Sequence, residues 1–375
     1  MRFDFGRNGF DPAGGMGYAK GSARVVGPAL LKRDPGMAVW KWQGIADGRI
    51  AGAIERHWGS FFLKLAISTL LIVFLAVTYD VGEAFRRLGA IDLPWFFASL
   101  LLLGLGVFLA ALRWRSILDG IGIALSFHRV LRIVFIGLIF NQALPSSIGG
   151  DAMRVWQIHR VVASMGLAFR SIVLDRLAGL AGLVLLVMAA VFLLPRLAEK
   201  STAPVAAMGD AMMGAALAAM AGFVLLLVFD RLPLAFLGAR AQKALARIAV
   251  EGRQLLLTSW RAPYVLGLSC LIHVFSALSV FCLAQGMGIP LGVVACLVLV
   301  PPVILLMVLP ISLAGWGVRE GAMIAALGLV GVPAGEALVL SIAFGLSVLL
   351  ASLPGGAVWF LTRSPQKIQR EAVEE

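Results

Sequence analysis

Two apolar segments of this chain break off at the same kind of sequence. In residues 144–154, Leu144, Pro145, Ser147, Gly150 and Arg154 are each matched 165 residues later, in residues 309–319, by Leu309, Pro310, Ser312, Gly315 and Arg319. Pro and Gly at such points punctuate a helix rather than continue it. Each break ends a shortened apolar stretch, 130–144 or 291–309. Backbone that leaves a helix in hydrocarbon exposes unpaired N–H and C=O groups, so it persists only when buried in protein or lining a wet cavity.

The rest of the chain is suited to lipid. Of its 375 residues 60% are hydrophobic and 14% charged, with a mean hydropathy of +0.94, whereas a soluble domain carries roughly 25% charged residues. Apolar runs at 61–79, 93–112, 167–194, 211–229, 263–285 and 336–361 approach or exceed the roughly 20 residues that span a bilayer core. The expected fold is an all-α polytopic membrane protein with six full spans plus two re-entrant or broken helical hairpins forming an inverted repeat. Three full spans separate the breaks, an odd number, so the hairpins enter from opposite faces. Broken segments at matching positions of inverted repeats point to a transporter's midplane site.

The net charge of +12 sits between the apolar runs, not on a stripe interleaved with aromatics, which argues for anionic lipid and against nucleic acid. One side receives residues 1–58, Arg113, Arg115, Arg129, Arg132, the linker 230–262 and residues 363–375. The other receives Arg86, Arg87, Arg196 and Lys200. Positive charge stays inside, so both termini are expected in the cytoplasm of a bacterium, with the protein in its cytoplasmic (inner) membrane. Residues 1–58 read as a Gly-rich, disordered tail without the apolar core of a signal peptide, and Met16 or Met37 are alternative starts. Residues 59–362 read as the transmembrane domain. Within the linker, basic residues at helical spacing predict a surface helix against lipid phosphates.

Metal and cofactor chemistry find no foothold. Cys270, Cys282 and Cys296 lie in apolar stretches, His57, His128, His159 and His273 are scattered, and no G-x-x-x-x-G-K-[ST] pattern for nucleotide occurs. The expectation is no cofactor and no metal.

The breaks themselves carry the candidate chemistry. After Gly150 and Gly315 a new helix begins, whose free N–H groups and positive dipole end suit an anion. Arg154 and Arg319 add a fork of donors that matches phosphate oxygens. Together with Ser147 and Ser312 these residues form the candidate phosphate site, two half-sites facing each other. Asp151, Asp175, Arg176 and Glu320 are candidates for charge balance or proton coupling, with Asp151 placed to cap its helix and Glu320 beside Arg319. Asn141 and Trp316 are candidate cavity-lining residues.

Three ordered stretches resemble the transmembrane-domain family of lysylphosphatidylglycerol synthase, also called flippase-like or UPF0104. They are Phe140-Asn141-Gln142-Ala143-Leu144-Pro145 with Gly149-Gly150-Asp151 and Arg154, then Val173-Leu174-Asp175-Arg176-Leu177-Ala178-Gly179-Leu180, then Pro310-Ile311-Ser312 with Gly315-Trp316-Gly317-Val318-Arg319-Glu320-Gly321-Ala322. The resemblance covers roughly residues 60–362. It implies a module that moves lipid between leaflets, and the soluble aminoacyl-transferase domain of the synthases is not found after the last span. The expected function is translocation of a phosphate-bearing lipid, of phospholipid or isoprenoid type, without catalysis. The expected partners are membrane lipids, with a homo-oligomer or a separate lipid-synthesis enzyme as the protein partner. Two alternatives stand beside it: an intramembrane lipid-modifying enzyme using His159 and Asp151, and a non-transporting partner of a separate synthase.

Overall fold

The computed structural model describes residues 82–143, 149–193, 205–231, 238–308 and 316–362, with a few helical positions between 69 and 78. The apolar runs there are helices, and no strand occurs among the described residues. In chain order they are α1 (Gly82–Gly89), α2 (Leu93–Gly120), α3 (Phe127–Ala143), α4 (Gly149–Val162), α5 (Met165–Val191), α6 (Val205–Leu227), α7 (Ala239–Arg253), α8 (Ala262–Gly286), α9 (Val293–Met307), α10 (Val318–Gly328) and α11 (Ala334–Thr362). The expected all-α polytopic membrane class is what the chain adopts.

Helix length sorts these elements. α2, α5, α8 and α11 have 28, 27, 25 and 29 residues and are apolar enough to cross a membrane. At about 1.5 Å per residue each exceeds a core of about 30 Å. α3 and α4, with 17 and 14 residues, and α9 and α10, with 15 and 11, are each too short to span alone. α2 and α8 open with a proline in the first turn, where its missing N–H is not needed. α5 opens on Ser164, whose hydroxyl accepts from Leu167 N at 3.3 Å.

α2 and α8 make the most extensive helix pair, and they run antiparallel. Asp92 N donates to Gly286 O at 2.9 Å at one end, the Ser99 and Ser279 hydroxyls meet at 2.6 Å midway, and Arg113 reaches Ser269 at 3.2 Å toward the other. Two apolar clusters lie toward opposite ends of this pair. One gathers Trp114 and Ile117 of α2, Val130 and Ile133 at the start of α3, Ile158 toward the end of α4, and Val265 of α8. The other gathers Leu283 of α8, Leu299 of α9, Leu327 at the end of α10 and Leu340 of α11. The α3–α4 pair therefore starts from and returns to one cluster, and the α9–α10 pair starts from and returns to the other.

Two expectations need revision. Arg113-Trp114-Arg115 does not end the second span: α2 continues to Gly120 with Arg113 and Trp114 buried. Arg113 has a carboxylate partner inside the protein, so the helix has no need to stop there, and this residue drops out of the count of cytoplasmic charge. The basic helix expected in the linker is present as α7, followed by a π-type turn at Gln254–Thr258. It is not only a surface element, because Ile248, Leu255 and Leu256 are buried in the first cluster and Arg253 holds Asp230 through both carboxylate oxygens. The run 61–79 falls largely outside the described residues, as do both break tips with Ser147, Ser312 and Gly315, and both tails.

The serine pair at the centre of α2 and α8 offers a direct check. A double-mutant cycle of Ser99→Ala and Ser279→Ala, read by unfolding in detergent, is expected to give a coupling of about 0.6 kcal/mol and no more than ~1.7, as for hydrogen bonds between membrane helices.

Candidate functional site

Asp175, in the first half of α5, is 4% exposed. A lone carboxylate at that depth is strongly disfavoured, and both of its oxygens are engaged. Arg113 Nε of α2 donates to Oδ1 at 3.0 Å, and Arg154 Nη2 of α4 donates to Oδ2 at 2.8 Å. One carboxylate thereby ties three helices together. Arg113 also donates from Nη1 to Ser269 Oγ of α8 at 3.2 Å, bringing in a fourth.

Glycines make this approach feasible. A Cβ at Gly179 would stand 3.2 Å from Arg113 Nη1, and one at Gly182 would overlap the Ser269 side chain of α8. His273 Nε2 lies 3.1 Å from Gly179 O. On the α3 side, a Cβ at Gly137 would come within 2.8 Å of Arg154 Cγ. The α3 and α4 ends are fastened near the tip by Gly150 N, which donates to Asn141 Oδ1 at 2.9 Å. A Cβ at Gly150 would overlap the Gly137 carbonyl.

A second pair extends the cluster. Asp151 lies in the first turn of α4, where negative charge is favoured. Its oxygens accept from Arg176 Nε and Nη2 at 2.8 and 2.7 Å. Arg154 Nη1 is 3.6 Å from Asp151, and the Arg154 guanidinium lies 4.0 Å over the Trp114 ring. Its Nε is buried without a partner.

These groups form one end of a cavity of roughly 280 Å³. Arg113, Asn141, Arg154, Asp175 and Arg176 line it, while α2, α3 and α11 supply an apolar wall that includes Leu102, Val107, Leu138 and Val348. Three guanidinium groups stand against two carboxylates, leaving one positive charge uncompensated. The arrangement is amphipathic: a basic pole with a free donor, joined to a greasy chamber.

The second break builds a separate cluster. Glu320 is fully buried and accepts from Gly317 N at 2.5 Å, Arg319 Nη2 at 2.6 Å and Ser341 Oγ at 3.3 Å. Gly317 has φ of 88°, a backbone region that an L side chain rarely adopts. The Arg319 guanidinium lies 4.5 Å from the Trp316 ring centroid and 6.0 Å from that of Phe344, in space left by the missing side chain of Gly345. Neither Arg319 nor Trp316 lines the cavity, whereas Phe344 does. Arg154 and Arg319 are thus not brought into one cavity: Arg319 lies outside it, 6.0 Å from the ring of Phe344, which lines it. The reason is local: the residue after Arg319 is its own counter-charge.

Arg113, Trp114, Ser269 and His273 are site components that the break motifs do not single out. The available signal was Arg113 itself, an ionisable residue followed by further apolar positions, Ile117 and Leu118. Such a residue inside a span faces a partner or a cavity by default.

With this geometry in place, comparison with known proteins is informative. The model of the lysylphosphatidylglycerol synthase TM region matches residues 61–355. The chain belongs to this family. Among curated relatives of the lysylphosphatidylglycerol synthase TM family, a UPF0104 membrane protein of Pyrococcus horikoshii is 26% identical over 132 residues, 34% of this chain and 39% of that protein. A UPF0104 membrane protein of Methanothermobacter thermautotrophicus is 31% identical over 117 residues, 31% of this chain and 32% of that protein. The similarity thus spans 39% of the first relative's length and 32% of the second's.

Removing Asp175 strands two buried guanidiniums. Asp175→Asn is expected to destabilise the folded protein by on the order of 3–5 kcal/mol, as for a buried ion pair that loses one partner. Adding Arg113→Gln should recover part of that loss. Thermal unfolding of the three variants in detergent checks both statements, and an additive double variant would mean that the carboxylate does not couple to Arg113.

Proposed function

We propose that this protein is a lipid translocase of the bacterial cytoplasmic membrane, not an enzyme, with both termini cytoplasmic. It receives the head group of a phosphate-bearing lipid at the Arg113–Arg154–Arg176 pole and the acyl or isoprenoid chain along the apolar wall. The observation that carries this reading is the amphipathic cavity, one pole basic and the remaining walls greasy. A site for a water-soluble anion would have no use for the apolar chamber, and a purely structural ion cluster would leave no cavity beside it.

The arrangement of helices supports movement as well as binding. α2, α3, α4 and α5 recur as α8, α9, α10 and α11 in the same order of long, short, short and long. The neighbour relations recur too: α3 packs on α11 as α9 packs on α5, α2 packs on α11 as α8 packs on α5, and α2 meets its own counterpart α8. Those counterparts run antiparallel, and the two short pairs approach from opposite clusters. We read this as an inverted repeat with two re-entrant hairpins, the architecture in which one half rocks against the other around a central site. In that cycle Phe344 parts the open pole from Arg319, which receives the head group when the access side changes. Asp175 and Asp151 keep the arginines in place while the pole is empty.

The test is transport in proteoliposomes holding acyl-labelled phospholipid, with a membrane-impermeant quencher outside. The intact protein is expected to exchange lipid at least tenfold faster than protein-free vesicles. Arg154→Gln, reconstituted to the same density, should lose most of that rate. Exchange at the protein-free rate across anionic and neutral head groups would reject the proposal.

A further inference from the structure

We infer that the cavity takes a lipid whose head is a phosphodiester monoanion bearing no ammonium group, an inference that rests on and deepens the lipid-translocation reading. It follows from the commitments of the charged groups around the pole among the described residues. The ionisable residues lining the cavity are Arg113, Arg154, Arg176 and Asp175. Asp175 faces one guanidinium with each oxygen, at 3.0 and 2.8 Å. Behind it, Asp151 has both oxygens on Arg176 at 2.8 and 2.7 Å, and Glu320, beyond Phe344, is held by Arg319 at 2.6 Å. Among the described residues, no carboxylate at the pole is left for a cation.

The other usual receptor of an ammonium is an aromatic face: that of Trp114 is covered by the Arg154 guanidinium at 4.0 Å, and Phe344, the aromatic ring lining the cavity among the described residues, has the Arg319 guanidinium 6.0 Å from its centroid. An ammonium entering with its phosphate would lie among three guanidiniums in a low-dielectric chamber, where like charges repel far more strongly than in water.

An anion meets the opposite situation. Arg113 spends Nε and Nη1 on Asp175 and Ser269, and Arg176 spends Nε and Nη2 on Asp151. Arg154 gives Asp175 only Nη2 and keeps a buried Nε without a partner, although it is 8% exposed and lines the cavity. One uncompensated positive charge among the guanidinium groups lining the cavity matches one negative charge. The lipid in the family's name carries a lysyl group and its ammonium charges, so this chain's site favours the unmodified phosphodiester over the aminoacylated one.

The experiment uses the full chain, purified in detergent and examined by native mass spectrometry with equimolar phosphatidylglycerol, phosphatidylethanolamine and lysylphosphatidylglycerol. Acyl-labelled forms of all three are followed in proteoliposomes in parallel. Phosphatidylglycerol is expected to be retained and moved at least tenfold better than either ammonium-bearing lipid, and Arg154→Gln should abolish the preference. Should that variant fail to fold, the comparison within the native protein still decides. Lysylphosphatidylglycerol or phosphatidylethanolamine retained as well as phosphatidylglycerol overturns the head-group assignment. Selective retention without movement of any lipid rejects translocation and leaves the assignment standing. Equal movement of all three does the reverse.

Discussion

A single carboxylate organises the core of this protein. Asp175 lies at 4% exposure with one arginine on each oxygen, and those arginines come from two other helices. In hydrocarbon none of the three charges is affordable alone, since each would have to find water, thin the bilayer or lose its charge. Together they form a bridge that holds α2 and α4 to α5, with Ser269 adding α8. The bridge has one cation too many for its one anion. Asp151 and Arg176 enlarge the cluster without removing the excess, because each adds an equal and opposite charge.

The helices around the cluster are placed by what is missing from them as much as by what they carry. Gly179 and Gly182 clear one side of α5 for Arg113 and for α8, and Gly137 and Gly150 let the ends of α3 and α4 touch. Gly355 does the same where α11 crosses α3, since a Cβ there would overlap the Phe135 carbonyl. Lipid tails are as apolar as leucine, so helix association in a membrane depends on close packing and polar contacts instead of the hydrophobic effect. Small residues at crossing points thus decide which helices meet. The basic pole follows from these crossings, because the long arginine side chains occupy the space that the glycines vacate.

Much of this was legible in the chain, for reasons that also explain the rest. Helix class, most of the long spans and both breaks follow from apolar run length, which the bilayer enforces. Arg154 and Asp175 stood out because an ionisable residue in or beside an apolar run is costly and must be answered. Arg113 was misplaced by the same logic: followed by Trp114 and Arg115, it looked like the end of a span, and only the position of α5 shows that its partner lies inside. The separation of Arg154 from Arg319 was also hidden. Their motif is shared, whereas their surroundings depend on single residues outside the match, Glu320 beside Arg319 and Phe344 close to it. A repeat seen in sequence describes how two halves are built, not whether their side chains face the same space.

That difference between the two breaks bears on the proposed translocation. Were both breaks identical in charge, a head group would have no reason to prefer either one. Here Arg113, Arg154 and Arg176 line an open cavity with a net positive charge, while Arg319 is neutralised by the adjacent Glu320 and lies outside that cavity beside Phe344. In the proposed cycle, an anion leaving the first pole for the second must displace Glu320 from Arg319, losing a ready-made site for one that has to be opened. Rocking of the two halves then supplies access, and the unequal charge of the two poles sets the resting side. The resting arrangement is therefore expected to be the one described, with the pole at Arg154 open and the pole at Arg319 closed on its own counter-charge.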